Sequence, residues 1–426
     1  LTELIETSNI CTVPISFLLM RGQGIKLASL LSKECTAHKV FIPDINKGSA
    51  EDAYEGACVL TPKTGLYIDD PVACLDFAGL YPSEMIANNI SHDTKVWAQD
   101  YDIHGNADGV VRGDKKYDNL PGYEYVTKRF TRYKKIINPK TPSAKRKKVR
   151  VGHTVVRYVQ PDEHGNGIGM LPLILRELLA ARTATRKLGK QEPDAFMRNV
   201  LDQRQKAIKM AANSVYGLTG ATTSIFYEPD AAATTTSGGQ TNLLYAKNGI
   251  EKVFNGVVCH IPGYDPVRIT ASYVYGDTDS VFFKVNAQQL DGTKIVGKLA
   301  LELTILLSKK IGTIITGFLK GPHDLEYEKT YLPFIMLSKK RYAGSMYVHD
   351  AIKCTRDEKG ICLKRRDYAP IVKDVFGGIM DRIISSDSLD RILNFLDVHL
   401  LDMMNNNCPM SKLIISKSLR SSYSKP

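Results

Sequence analysis

The spacing of apolar and polar residues changes several times along the chain, and each change predicts a different element. Leu27, Leu30 and Leu31 recur at helical spacing, so residues 1–50 read as helix followed by an extended segment that Pro43 helps to end. Residues 51–71 are rich in turn formers. VACLDF (72–77) is a short apolar run between Pro71 and Gly79, which predicts a buried strand. Pro82 then stands where a helix can begin, and SEMIANN continues it. Residues 92–170 are polar, glycine-rich and basic, and read as a surface insertion. Helical spacing returns over 171–188 and 195–217, and Gly189 and Pro193 break the chain between them, predicting a helical hairpin. Residues 268–285 read as strand, tight turn, strand. Residues 292–316 are again helical, as is the chain from about residue 370 onward. The mixture is that of an α+β protein. No apolar run approaches the roughly 18 residues of a membrane span, so no membrane partner is expected.

Charge changes this picture in one place. The chain of 426 residues carries 57 Lys+Arg against 45 Asp+Glu, a net +12. Residues 128–157 hold twelve Lys/Arg and no acid, so the whole excess sits in one stretch centred on Lys145-Arg146-Lys147-Lys148. Such a run attracts phosphate and gains affinity by releasing counterions. A solvated loop or a nuclear-import patch has the same composition. Eight cysteines occur with no C-x-x-C pair, which points away from a zinc site or disulfide framework and towards reduced thiols in an intracellular reducing compartment. The chain is long enough for two to four structural units. It begins with Leu1, and reads as a piece of a longer protein.

Four segments carry candidate chemistry. In SYVYGDTDSVFF (272–283), apolar runs flank Gly276-Asp277-Thr278-Asp279, a hairpin with two carboxylates at its tip. Clustered like charges repel unless a cation compensates them, and carboxylate oxygens suit Mg²⁺; a plain turn is the alternative. In LDFAGLYPS (75–83), Asp76 ends the buried strand just before the turn into a helix, where an Asp can also be a simple cap. In RQKAIKMAANSVYG (204–217), Lys209, Asn213 and Tyr216 fall on one helical face. A cation, an amide and an aromatic ring in one stripe suit a triphosphate and a base. The preceding helix offers Arg182 and Arg186, for which a solvated basic face is the alternative. In LSKKRYAG (337–344), Lys339, Lys340, Arg341 and Tyr342 stand at a strand end where they can contact a duplex backbone, although surface charge also explains such a cluster.

Together, DFAGLYPS, KMAANSVYG, YGDTDSVF and KKRYAG resemble the ordered signatures of family B DNA polymerases, with Asp76 lying 201 residues before Asp277. LLMRGQGIK (18–26), Lys359-Gly360 and Arg365-Arg366-Asp367 extend the likeness, which is greatest to delta-like polymerases of large DNA viruses of eukaryotes. The resemblance implies a polymerase right hand with an antiparallel-sheet palm, helical-hairpin fingers and a partial helical thumb. Residues 1–170 would be the first part of the palm with a pre-palm segment and the basic insertion, 171–217 the fingers, 218–364 the second part of the palm, and 365–426 the start of a truncated thumb. It implies two Mg²⁺ ions, for which Mn²⁺ can substitute, held by Asp76, Asp279 and the Phe77 carbonyl, with Asp277 less direct. Arg182, Arg186 and Lys209 would meet the triphosphate of a dNTP near Gly79 and Leu80. Asn213 and Tyr216 would line the nascent pair, and Tyr81 would exclude a 2′-hydroxyl. The KKRY residues would hold primer–template DNA. A sliding clamp would be engaged through regions outside this segment, in the host nucleus or a cytoplasmic viral factory.

Gly79 departs from the family's serine, so either a hydroxyl contact is lost or the turn is tighter. Arg186 stands for the usual Lys, Ser338 for a common Lys and Cys362 for an acid. Nothing before Asp76 matches the strand-borne D-x-E of a proofreading exonuclease. Asp324-Leu325-Glu326 follows the hairpin and reads as a palm strand instead. Two alternatives stay in view: a non-catalytic DNA-binding relative, which would be expected to lack an Asp at 76 or 279, and an RNA-templated polymerase, which fits the helical and KKRY segments poorly.

Overall fold

The computed structural model describes residues 1–42, 52–136, 147–365, 367–385, 387–417 and 419. Among these residues, in chain order, helices α1 (Thr2–Cys11), α2 (Ile15–Met20) and α3 (Gln23–Ala37) precede strands β1 (Asp52–Tyr54), β2 (Gly65–Tyr67) and β3 (Val72–Phe77). Helix α4 (Leu80–Ala87) leads into β4 (Lys95–Asp102), β5 (Ala107–Gly113), β6 (Tyr125–Ile136) and β7 (Lys147–Val159). Then come α5 (Met170–Gln191), α6 (Ala195–Gly220) and α7 (Pro229–Val253), followed by β8 (Asn255–Cys259), β9 (Val267–Thr270), β10 (Ser272–Asp277) and β11 (Ser280–Lys284). Helix α8 (Gly297–Thr316) and strands β12 (Leu325–Ser338), β13 (Arg341–Tyr347) and β14 (Cys354–Lys359) precede α9 (Pro370–Ile384) and α10 (Leu389–Met404). The chain forms two compact units. One comprises Leu1–Ala57, Ala78–Asn242 and Lys320–Asp324; the other comprises Cys58–Phe77, Leu243–Leu319 and Leu325–Pro426.

The first unit corrects the reading of residues 92–170 as a surface insertion. They supply four strands of a five-stranded antiparallel sheet, ordered β1-β6-β7-β4-β5. Along β7, Gly152, Thr154, Val156 and Tyr158 are buried on alternate positions, the period of a half-buried strand. Ala98, Phe130, Val156 and Tyr158 join one core with Ile174 and Leu175 of α5 and Ala211, Ala212 and Val215 of α6. The described part of the basic stretch is therefore ladder. Lys128 pairs with Glu84 at 3.1 Å, Arg132 with Asp108 at 2.9 Å and Arg157 with Asp118 at 2.9 Å. Residues 137–146, with Lys145 and Arg146, lie outside the described residues.

Residues 2–37 form three helices rather than one, and most of the predicted extended segment lies outside the described residues. Pro14 and Gly22 occupy the caps of α2 and α3, and Leu27, Leu30 and Leu31 do face the core. Pro43 is outside the described residues. The predicted hairpin is present as α5 and α6; the Asp194 side chain caps α6 by accepting from the Met197 N–H at 2.8 Å.

In the second unit an antiparallel sheet runs β10-β11-β3-β12-β13-β14, with β2 also paired to β12. Its buried aromatic rings, Tyr275, Phe282, Tyr331, Phe334 and Tyr342, pack together. Helices α9 and α10 follow the predicted pattern, and Met380 of α9 packs with Ile335, Ala343 and Ile361. Helix α8 starts at Gly297, five residues after the predicted start. Among the described residues no disulfide joins any of the eight cysteines, and no helix is long and apolar enough to cross a membrane.

Candidate active-site residues

Strand β3 is buried along its length except at Asp76, which is half-buried. Hydrogen bonding puts β3 between β11 and β12, and the register sets Asp76 opposite Ser280 on one side and Glu326 on the other. Directly opposed residues share a sheet face, so Asp76, Ser280 and Glu326 stand together. Asp279 immediately precedes Ser280, and its carbonyl accepts the Phe77 N–H at 2.9 Å. Two aspartates some 200 residues apart thus come from adjacent strand ends. Glu326 is the residue that the sequence reading passed over. It lies on the strand that reading expected, but only the register reveals its neighbour.

The hairpin tip is held tightly. Thr278 has φ 60, and the Asp279 N–H donates to the Asp277 carbonyl at 2.7 Å across it. A β-branched residue at positive φ is strained and persists only where its surroundings enforce it. Here the Thr278 N–H donates to the Cys58 carbonyl at 2.9 Å, and its hydroxyl donates to Asp277 Oδ1 at 3.2 Å. Lys340 Nζ reaches both Asp277 oxygens, at 2.7 and 3.0 Å, and the Tyr275 hydroxyl donates to Oδ2 at 3.1 Å. That hydroxyl accepts from the Lys340 N–H at 2.9 Å, and burial pushes the phenol up to about 12, so it remains a donor. Asp277 is therefore engaged within the protein.

Lys339 and Lys340 form the turn between β12 and β13, and Lys339 Nζ donates to the Val59 carbonyl at 2.7 Å. Arg341 is exposed. Tyr342 differs from its expected surface role. Its ring is 8% exposed and packs against Phe282 at 5.4 Å and Phe334 at 5.6 Å, so its main work is in the core.

The strand ends offer oxygen donors alone, the donor type of a hard divalent cation. Among the described residues, the one trio of His, Cys, Asp or Glu with ligand atoms mutually within 4.8 Å is Glu34, His38 and Glu177, where His38 and Glu177 stand 3.6 Å apart. The carboxylates near Asp76 thus make no such trio. A cation there would need oxygens beyond these carboxylates.

The remaining candidates lie in the first unit. Gly79 caps α4 with φ 74 and ψ 60, the left-handed region, and a β-carbon there would stand 3.6 Å from Asn213 Oδ1. The Leu80 side chain is 3% exposed, so only its backbone can meet a ligand. The Tyr81 and Tyr216 rings lie 4.5 Å apart, and the Tyr216 hydroxyl is 3.0 Å from Thr236 Oγ1. Lys209 and Asn213 are on the exposed side of α6, away from buried Ala207, Ile208, Ala211, Ala212 and Val215. Arg182 Nε donates to Gln205 Oε1 at 3.4 Å, and Arg186 is exposed one turn further along α5. The predicted stripe is thus one solvent face, and Gly79, Tyr81, Asn213 and Tyr216 gather at one end of it.

The left-handed φ gives Gly79 a structural reason to be glycine. A β-carbon in this region costs roughly 1–2 kcal/mol. Gly79→Ser is therefore expected to lower unfolding stability by about 1 kcal/mol in urea denaturation, whatever its hydroxyl gains from a ligand.

The chain belongs to DNA polymerase family B, whose family model matches residues 13–426. It is 45% identical over 339 residues to a DNA polymerase of Phaeocystis pouchetii virus, covering 78% of this chain and 32% of that protein. It is 37% identical to a DNA polymerase of Pyramimonas orientalis virus, over 98% of this chain and 35% of that one. It is also similar to a DNA polymerase delta catalytic subunit of Oryza sativa subsp. japonica, at 34% identity over 97% of this chain and 32% of that protein. The chain spans about a third of the length of these relatives.

Proposed function

We propose that this chain is the catalytic core of a DNA-templated DNA polymerase that extends a primer 3′-hydroxyl with dNTPs and releases pyrophosphate, in the replication of a large DNA virus inside a reducing compartment. The observation that carries this reading is the register that seats Asp76 beside the Asp277-Thr278-Asp279 tip. The sheet around β3 is the palm, α5 and α6 are the fingers, and the thumb begins near residue 365. Asp76, Asp279 and the Phe77 carbonyl would hold two divalent cations, Mg²⁺ in the first instance. When bound, these ions stabilise the attacking and leaving oxygens of an in-line displacement. Asp277, tied to Lys340, steadies the hairpin. Lys209, Arg182 and Arg186 neutralise the triphosphate, aided by the backbone at Gly79 and Leu80. Tyr81 leaves no room for a ribose 2′-hydroxyl, and Asn213 and Tyr216 line the nascent pair. Lys339 and Arg341 meet the duplex, and Tyr342 anchors their strand in the core.

Primer extension by the full chain with Mg²⁺, on DNA and on RNA templates, tests the reading. Extension on DNA alone is expected. Tight DNA binding without extension on either template returns the chain to the non-catalytic alternative.

The basic stretch makes a separate contribution. Replacing Lys145, Arg146, Lys147 and Lys148 by Gln is expected to reduce the slope of log affinity against log salt by up to about four units, since each phosphate contact contributes roughly 0.9. An unchanged slope assigns the run to another role.

A further inference from the structure

Helix α7, which the apolar pattern did not predict, carries two successive glycines, Gly238 and Gly239, in its interior. Glycine is a poor helix former, so the pair needs a reason. The neighbours supply one. A β-carbon on Gly238 would overlap the Glu84 carboxylate. A β-carbon on Gly239 would stand 3.0 Å from Tyr81 Cε1 and 3.2 Å from Leu80 Cδ2. The bare helix surface at Gly239 is thus a seat for the Tyr81 ring.

Tyr216 packs against the same ring, 4.5 Å away between centroids. Its hydroxyl is 3.0 Å from Thr236 Oγ1, one turn before Gly239 on α7. The helix therefore sets the Tyr81 ring twice, directly through Gly239 and indirectly through Thr236 and Tyr216. Glu84 fastens α4, which carries Tyr81, to the same helix by accepting from Asn242 Nδ2 at 3.0 Å.

We infer that Gly239 is a positioning residue for sugar selection: its missing side chain fixes where the Tyr81 ring stands, and so fixes nucleotide affinity and the rejection of ribose. This rests on the proposed role of Tyr81. The test is a double-mutant cycle in the full chain, with Gly239→Ala, Tyr81→Ala and the pair, read as KM and kcat for a dNTP and the matching rNTP. Gly239→Ala is expected to raise the dNTP KM about fivefold, with kcat within about twofold, and to change the ribose-to-deoxyribose ratio. In the Tyr81→Ala background the same substitution should change nothing further. Thr236→Val is the second variant; it removes the hydroxyl facing Tyr216 without adding bulk, and its effect should depend on Tyr81 in the same way. It decides the matter if Gly239→Ala fails to fold.

Effects that persist undiminished without the Tyr81 ring, or no effect of either α7 variant, overturn the inference. If Tyr81→Ala itself leaves ribose rejection unchanged, the proposed role of Tyr81 fails first, and the inference falls with it.

Discussion

Asp76→Asn and Asp279→Asn are each expected to lower the rate of primer extension by about a thousandfold or more, with DNA affinity and the unfolding midpoint little changed. Asparagine keeps the size and the neutral hydrogen bonds of the side chain but removes the charge that a divalent cation needs. The two positions are neighbours through the β3–β11 register and the Phe77–Asp279 hydrogen bond, so under the proposed mechanism either substitution removes a carboxylate from the same site. Asp277→Asn is the internal control. Its carboxylate faces Lys340, Tyr275 and Thr278, and the expected loss is nearer tenfold because the effect passes through the shape of the hairpin. Equal losses at all three positions would mean that the tip acts as one structural unit. Full activity in Asp76→Asn would end the proposed mechanism. Single-turnover extension with a DNA-binding titration separates these outcomes.

Glu84→Leu is expected to destabilise the first unit by about 3–5 kcal/mol, the usual cost of breaking a buried charged network by removing one partner. Glu84 is 2% exposed. Its carboxylate accepts from Asn88 Nδ2 at 2.8 Å, Lys128 Nζ at 3.1 Å and Asn242 Nδ2 at 3.0 Å, and it stands 3.2 Å from Nε2 of buried His323. Leucine fills the space and removes the acceptor from the three donors, Asn88, Lys128 and Asn242. Glu84→Gln retains one acceptor oxygen and is expected to cost less than half as much. Urea unfolding monitored by circular dichroism measures both. A change below about 1 kcal/mol for Glu84→Leu would show that water or rearranged neighbours satisfy the donors.

The parts of this protein that were legible in the sequence are those where one period holds without interruption. The strand 72–77 is apolar except at Asp76, because both its faces are covered along residues 72–75. The α5–α6 hairpin was legible because Gly189, Pro193 and the capping Asp194 punctuate it. The sheet β4–β7 was not legible, because charged residues take many of its exposed positions, Arg112, Arg129, Lys134 and Arg150 among them. These outnumber the alternating buried Thr154, Val156 and Tyr158 and give the stretch the composition of a loop. Helix α7 escaped for the opposite reason. Its first turns are buried all round on Ala231 to Thr236, small residues that carry little apolar signal, and the Thr235 and Thr236 hydroxyls bond back to the Ala231 and Ala232 carbonyls. At the candidate site, Asp76, Asp277 and Asp279 could be found by motif. Glu326 could not, because its relation to Asp76 is a matter of strand register. Tyr342 reads as a surface aromatic beside three cations, and only the fold places it in the core.

The bond between Lys340 and Asp277 also bears on the order in which the molecule is assembled. Asp76, Asp277, Asp279 and Glu326 bring four acidic residues to one end of four neighbouring strands, and such a gathering would resist compaction until something positive arrived. Lys340 is a counter-ion built into the chain, in place as soon as β12 and β13 meet. The sheet can therefore close on its own, with folding uncoupled from metal loading, unlike domains whose fold waits for the ion. A chelator is accordingly expected to stop extension and leave the thermal midpoint within about 2 °C, whereas Lys340→Ala should make that midpoint depend on added Mg²⁺.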